Sequence, residues 1–110
     1  MSEKKIVVPP DIRIILDKPG RYWTEEEIVT VKEWLLGEPL DVAIRIAYTF
    51  TRDLDLAKQV TRTRIKSAFQ RLGAYDPAHH QGRNNAFLNW LYTMIARAAL
   101  QEATRKRRAM

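Results

Sequence analysis

Apolar residues recur three or four positions apart through most of this sequence, which is the spacing of one face of an α-helix. The first run starts after Thr24, and Glu27 stands three residues later, so the pair predicts a capping box. Gly37 indicates where this helix stops, and a second helix should follow Pro39, which suits a first turn. The apolar positions of the two helices are Ile28, Val31, Trp34 and Leu35, then Val42, Ile44, Ile46, Ala47 and Phe50.

A third helix is predicted to begin after Asp53 as its cap and to end near residues 72–73. Lys58, Arg62 and Lys66 stand four residues apart and off the apolar stripe of this helix. Like charges in such a row slightly destabilise an isolated helix, so the row indicates a partner. The apolar stripe consists of Leu56, Ala57, Val60, Ile65, Ala68, Phe69 and Leu72.

Glycine, proline and asparagine punctuate residues 73–86 and predict a loop there. The last helix should run from about Asn85 to about Arg107 and is apolar on most sides before Glu102. After that residue it turns abruptly cationic, with Arg105, Lys106, Arg107 and Arg108.

The aromatic residues of the last helix divide between core and surface. Phe87 and Leu91 are expected in the core. Trp90 and Tyr92 cannot both share the same narrow apolar face, because their positions diverge around the helix. At least one of these two side chains should therefore be partly exposed or lie at a second interface.

Helices alone account for this pattern, so we expect an all-α fold, a compact bundle of about four helices over residues 24–110. Residues 1–23 are expected to form an irregular N-terminal arm, because Pro9-Pro10 and Pro19-Gly20 are breakers. A chain of 110 residues with 45% apolar residues suits a single domain with a modest core.

Charge is distributed unevenly along the chain. Residues 1–51 hold 7 basic and 9 acidic side chains, a net −2, whereas residues 52–110 hold 12 basic and 4 acidic, a net +8. A basic half favours a polyanionic partner, with nucleic acid the first candidate, although a solvated basic surface would look the same.

Catalytic and metal-binding patterns are sparse. The absence of cysteine excludes disulfides and cysteine-ligated zinc or iron–sulfur sites. His79 and His80 are adjacent, with Asp76 three residues upstream, but no further ligands stand near them. Asp53 and Asp55 fit a helix start better than a pair of catalytic carboxylates. We therefore expect no enzyme, no cofactor and no metal site.

No apolar run approaches the ~18 residues needed to cross a bilayer, and the first ten residues hold too few apolar positions for a secretory signal. These features predict a soluble, cytoplasmic protein that makes no contact with a membrane.

Four pieces of the chain, in order, resemble the second conserved region of bacterial sigma factors, most closely the extracytoplasmic-function group. That family typically has A-E-D-L-V-Q-E-T-F-L-R-A-W, then a loop with an aromatic residue before Asp-Pro, then F-x-x-W-L-x-x-I-A-R-N and a basic run. The resemblance covers a little over half of the chain. The corresponding pieces are 57-AKQVTRTRIKSAF-69, Tyr75-Asp76-Pro77, 87-FLNWLYTMIAR-97 and 105-RKRR-108.

The resemblance implies a sigma-factor domain that binds core RNA polymerase and recognises and opens the promoter minus-ten element. A flipped-out base of the single-stranded non-template strand would enter a pocket in the loop before the last helix. The last helix would contact the DNA backbone, with salt-sensitive affinity. The residues then expected to bind DNA are Tyr75, His79, Arg83, Asn84, Asn85, Trp90, Arg97, Arg105, Lys106, Arg107 and Arg108.

The positions that face the polymerase in the family depart from its pattern, because Lys58, Gln59, Arg62 and Thr63 stand where the family has acidic residues and a glutamine. The implied partners are promoter DNA and core RNA polymerase, with a regulatory anti-sigma protein as a further candidate. The departure leaves a second hypothesis open, a degenerate sigma-like interaction module that docks a partner through its basic helix face. The residues expected to bind polymerase or this partner are Lys58, Gln59, Arg62, Thr63 and Lys66.

Overall fold

The computed structural model describes residues 6–80 and 85–109. Within these ranges the chain forms only helices and turns, which confirms the all-α class. Short 3₁₀ turns lie at Gly20–Tyr22, Leu72–Ala74 and Pro77–His80. The α-helices are α1 (Pro10–Leu16), α2 (Glu25–Leu35), α3 (Glu38–Thr51), α4 (Leu54–Gln70) and α5 (Ala86–Ala109).

The helix starts follow the local chemistry of the sequence. The Thr24 hydroxyl accepts a hydrogen bond from the backbone N–H of Glu27, and the Glu27 carboxylate accepts one from the backbone N–H of Thr24. This is the predicted capping box. The Asp53 carboxylate accepts from the backbone N–H of Leu56 and caps α4, as predicted.

Helices α3, α4 and α5 pack on one another and form the centre of the molecule, while α2 packs mainly on α1 and α3. Apolar side chains three and four residues apart on α5 point into this core. They therefore form one continuous apolar face along the helix. Phe87 and Leu91 are buried, as predicted from the sequence. The largest fully buried side chains are Tyr75, Phe87, Leu91, Ile95, Val31 and Thr61.

The segment expected to be an irregular arm contains helix α1. Pro10 stands at its first position, where a proline costs no hydrogen bond and its fixed φ suits the helix. Ile12, Ile15 and Leu16 are buried, because their spacing places them on one face of this short helix. The prolines therefore start a helix here instead of preventing one.

The segment after α1 is fastened to the loop before α5 by backbone contacts. The N–H of Gly20 donates to the carbonyl of Tyr75 at 2.9 Å, and the Tyr75 hydroxyl donates to the carbonyl of Leu16 at 2.6 Å. The indole N–H of Trp23 closes the same turn by donating to the Lys18 carbonyl. The beginning of the described chain is thus tied to a segment more than fifty residues later.

Candidate functional site

Exposed cations run along the C-terminal half of α5. Arg97 and Arg108 lie about three helical turns apart on the same line of the helix, and Arg105 and Arg107 flank that line on either side. All four side chains are exposed. We call these four residues the α5 cationic stripe, and its length is about 16 Å from the helical rise. The stripe can contact several phosphates of one strand.

Two basic residues at the end of α5 already hold acidic partners. The ammonium of Lys106 lies 3.1 Å from the carboxylate of Asp53, at the start of α4. The guanidinium of Arg105 lies 3.2 Å from the carboxylate of Glu102 on its own helix. Both pairs are solvent-exposed, so they are weak and can exchange for another anion.

The pKa of the Asp53 carboxyl is lowered, first by the hydrogen bond from the backbone N–H of Leu56 and then by the hydrogen bond from Lys106. The carboxylate thus stays ionised and holds Lys106 beside the α4 N-terminus. Lys106, expected to bind DNA, faces this carboxylate, whereas Arg97, Arg107 and Arg108 of the stripe are exposed and form no ion pair with a described residue.

Tyr75 is a correction to the expected DNA-binding set, because its side chain is 0% exposed and no base can reach it. It stands between Trp23, Phe87 and Trp90, with ring centroids 5.9, 5.2 and 5.3 Å away. Burial raises the pKa of its hydroxyl, with smaller contributions from the nearby carboxylate of Asp17, so the hydroxyl stays protonated and donates. Tyr75 shapes the loop from inside.

Trp90 and Tyr92 are both half-buried, in agreement with the expectation that at least one would be partly exposed. The Trp90 ring packs on Phe87, with ring centroids 5.8 Å apart, and on Tyr75 in the loop that precedes α5. The Tyr92 hydroxyl donates to the carbonyl of Pro39 and anchors α5 to the start of α3. Burial raises the pKa of that hydroxyl.

The loop before α5 contributes part of the expected base-binding set. His79 is exposed, and Asn85 is half-buried at the start of the helix. A ring nitrogen of His80 lies 3.0 Å from the amide nitrogen of Asn89, so the imidazole is positioned by α5. Two other expected DNA-binding residues, Arg83 and Asn84, lie outside the described residues.

The residues expected to bind polymerase or a partner do not share one surface. Gln59 and Thr63 line a polar groove of about 300 Å³ between α4 and α5. Arg62 and Lys66 line an apolar groove of about 820 Å³ on the other side of α4, towards α2. Lys58 is half-buried. The basic row predicted from the sequence therefore divides, and its last two members border the larger groove.

Sequence reasoning missed that larger groove, which we call the α2–α4 groove. It lies where α2 and α4, which both pack on α3, leave a gap between them. Leu36 and Leu40 lie near Gly37 and belong to neither predicted apolar face. These two additional apolar positions were the feature of the sequence that could have indicated the groove. The groove is lined by Ile28, Lys32, Leu35, Leu36, Leu40, Arg62, Ile65, Lys66, Phe69 and Gln70.

Comparison of the chain with protein-family models, curated proteins and solved structures finds no match. Across residues 6–80 and 85–109, no cluster of three or more histidine or acidic side chains could hold a metal ion. In the same ranges no helix combines the length and the hydropathy needed to cross a membrane.

Proposed function

We propose that this chain is a sigma-factor-like domain that binds promoter DNA and core RNA polymerase during transcription initiation. The observation that carries the proposal is the α5 cationic stripe, Arg97, Arg105, Arg107 and Arg108, exposed along one helix. Its support from the sequence is the order of the four motifs that resemble the second region of sigma factors. The domain would act by binding, without a chemical step of its own.

Phosphate contacts would position the domain on DNA without reading the sequence. Guanidinium groups suit this task, because they remain charged and can donate two parallel hydrogen bonds to one phosphate. Arg107 and Arg108 are both exposed in the last turns of α5, where they would add to the phosphate contacts made by Arg97. Lys106 would join them only by giving up its exposed pair with Asp53, which costs little.

Base capture is assigned to the loop before α5 and the start of that helix, where His79 is exposed and Asn85 and Trp90 are half-buried. An amide reads the edge of a base by hydrogen bonds, and an indole offers a stacking surface. Arg83 and Asn84 belong to the same proposed pocket by their place in the sequence. Tyr75 would contribute indirectly, because its buried ring supports Trp90 from below.

A second candidate function is partner docking through the basic face of α4. The observation that favours it is the α2–α4 groove, where Arg62 and Lys66 stand over uncovered apolar side chains. Such a groove fits a protein segment better than a nucleic acid, because its apolar side chains can bury the apolar face of a peptide, which a phosphate backbone lacks. The polar groove with Gln59 and Thr63 remains assigned to core polymerase.

The DNA proposal is tested by the salt dependence of binding to a fluorescent single-stranded promoter probe. Each lost phosphate contact reduces the slope of log K against log salt by about 0.7. Replacing Arg97, Arg107 and Arg108 with alanine should flatten the slope by about 2. The matched control replaces three exposed arginines on other elements, Arg13, Arg45 and Arg71, and should leave the slope unchanged. Equal flattening in both variants would mean that the stripe contributes only through the overall charge of the domain and not through its own phosphate contacts.

The polymerase part of the proposal needs its own measurement. Size-exclusion chromatography of the domain with bacterial core RNA polymerase, with crosslinking to retain weak complexes, should show comigration. A Gln59→Glu, Thr63→Glu variant restores the acidic character that the family has at these positions and should comigrate more strongly. No association of either form would leave the second candidate function in place and remove the first.

A further inference from the structure

The apolar floor of the α2–α4 groove is not covered by the part of the chain that the structure describes. Leu36 is 72% exposed, and Ile28, Leu40, Ile65 and Phe69 are each half-buried at the groove wall. The groove measures about 820 Å³, within the range of sites that hold ligands or peptide segments. A contiguous apolar surface of this kind marks an interaction site.

The charge around that floor has a single sign. Lys32 enters from α2, and Arg62 and Lys66 enter from α4, while none of the described residues that line the groove is acidic. The ammonium of Lys32 lies 5.2 Å from the centre of the Phe69 ring, so one cation lies directly against the apolar floor. An occupant that carries carboxylates would be attracted to these three cations, and a basic occupant would be repelled.

The shape of the groove favours a helix as the occupant. Its walls are two helices, and their lining side chains follow helical spacing, as with Ile28, Lys32 and Leu35 on α2. A peptide that binds by strand addition would need a strand edge to pair with, and the described residues contain no strand. A helix satisfies its own backbone and needs only side-chain contacts, which this groove supplies.

From these observations we infer that the α2–α4 groove binds an amphipathic helix of a partner protein whose apolar stripe is flanked by carboxylates. The inference rests on the second candidate function and names the partner's chemistry. The length of helix that α2 and α4 can cover is about 11 to 17 residues, the lengths of the two walls. Apolar anchors spaced three and four residues apart would fill the floor, and glutamates beside them would meet Lys32, Arg62 and Lys66.

The test uses the full chain and a fluorescent helical peptide of about 16 residues with leucine anchors flanked by glutamate. A second peptide carries lysine at every glutamate position. Anisotropy should give a micromolar Kd for the acidic peptide and at least about tenfold weaker binding for the basic one. Equal affinity for both peptides, or no binding of the acidic peptide at 1 mM, an order-of-magnitude upper limit for weak interfaces, would overturn the inference.

Exposed positions provide variants that should leave the fold intact. Leu36→Ser and the pair Arg62→Glu, Lys66→Glu should each weaken binding of the acidic peptide at least about tenfold. The matched controls are Leu100→Ser, another exposed leucine, and the pair Arg13→Glu, Arg45→Glu, which should bind as the parent does. Loss of binding in the controls as well would show that the peptide responds to overall charge or to another surface.

The same peptides and variants also distinguish two other occupants of the groove, a small amphiphile and a second copy of the chain. One outcome is that sodium decanoate displaces the acidic peptide at submicellar concentration, while the acidic peptide binds no better than the basic one. The groove is then a site for small amphiphiles, and the inference fails. If sedimentation shows a dimer that Leu36→Ser dissolves, a second copy of the chain covers the groove and the inference also fails. Comigration with core polymerase is measured independently, so failure of the peptide leaves the proposals on polymerase and DNA standing.

Discussion

The hydroxyl of Tyr75 donates a hydrogen bond of 2.6 Å to the backbone carbonyl of Leu16, 59 positions earlier in the chain. This bond joins the end of α1 to the loop that precedes α5, where the base-binding residues are proposed. The backbone of the same tyrosine accepts from the N–H of Gly20, so one residue holds the early segment at two points. The proposed DNA pocket is therefore built on contacts with the N-terminal segment.

Replacing Tyr75 with phenylalanine should lower the free energy of unfolding by about 1 to 3 kcal/mol, because the Leu16 carbonyl is left buried without its donor. Because the ring and its aromatic contacts are retained, the loss of unfolding free energy measures the contribution of the hydrogen bond. Urea denaturation followed by circular dichroism measures the change. The control Tyr22→Phe removes a hydroxyl from a side chain that is 61% exposed and should change stability by less than about 0.5 kcal/mol. A Tyr75 variant as stable as this control would contradict the role given to the bond.

Stability should fall at alkaline pH because two tyrosines are buried with protonated hydroxyls. The pKa of Tyr75 and that of Tyr92 are both raised, chiefly by burial. The folded state therefore retains protons that the unfolded chain releases above pH 10, near the ordinary tyrosine pKa. The stabilisation is complete below that pH and is lost progressively as the pH rises towards the folded-state values. By pH 11 we expect a loss of about 1 kcal/mol for each buried tyrosine.

Urea titrations between pH 8 and pH 11 measure this effect. The variant Tyr75→Phe, Tyr92→Phe lacks both titrating groups, so its stability should decline less steeply than that of the parent chain. Tyr22→Phe serves again as the control, because this variant removes an exposed hydroxyl and leaves Tyr75 and Tyr92 in place. Parallel curves for the parent and the double variant would assign alkaline unfolding to other groups.

Gly20 is required by a close backbone approach. A Cβ atom built at this position would collide with the carbonyl oxygen of Leu72, which is a backbone atom and cannot move aside as a side chain can. Gly20→Ala should therefore separate the two 3₁₀ turns and cost about 2 kcal/mol or more of unfolding free energy. The control is Gly73→Ala, where a Cβ would meet no atom within 4 Å. This variant should be neutral or up to about 1 kcal/mol more stable.

Thermal unfolding of these two variants provides the comparison. The expected order of melting temperatures places Gly20→Ala well below the parent and Gly73→Ala at or above it. Similar losses in both variants would contradict the assignment of the Gly20 effect to the close approach of the Leu72 carbonyl.

Local patterns in the sequence predict those parts of the fold whose causes are local. Thr24 with Glu27, and Asp53 alone, specify the starts of α2 and α4 through bonds that span three residues. The burial of Phe87 and Leu91 follows from helical spacing, which needs no knowledge of the partner surface. Helix α1 was missed because the two prolines before it fit both a breaker and a first turn.

The site was less predictable, because its surfaces depend on residues far apart in the chain. The motif around Tyr75 does not indicate that Leu16 accepts its hydroxyl, and that contact is what withdraws the side chain from solvent. The basic row on α4 was visible in the sequence, but the apolar floor beside Arg62 comes partly from Leu36, which the α2 periodicity does not include. A surface formed by two helices thus cannot be predicted from the sequence until the packing of the two helices is known.

Thr61 is a buried residue whose hydroxyl is costly to the fold. Its side chain is 0% exposed on α4, and its Oγ1 finds no hydrogen-bond partner among the described residues. A buried hydroxyl without a partner lowers stability by about 1 to 3 kcal/mol relative to an apolar group of the same shape. Valine has that shape and a similar helix propensity. Thr61→Val should therefore raise the free energy of unfolding by about 1 kcal/mol.

Urea denaturation of Thr61→Val tests the packing of α4 directly. The control Thr63→Val makes the same chemical change two residues away on an exposed position and should lie within about 0.5 kcal/mol of the parent. Because Thr63 lines the polar groove assigned to polymerase, this control also separates stability from binding. A Thr61 variant less stable than the parent would mean that the hydroxyl has a partner, such as an ordered water, and that α4 packs around a polar contact.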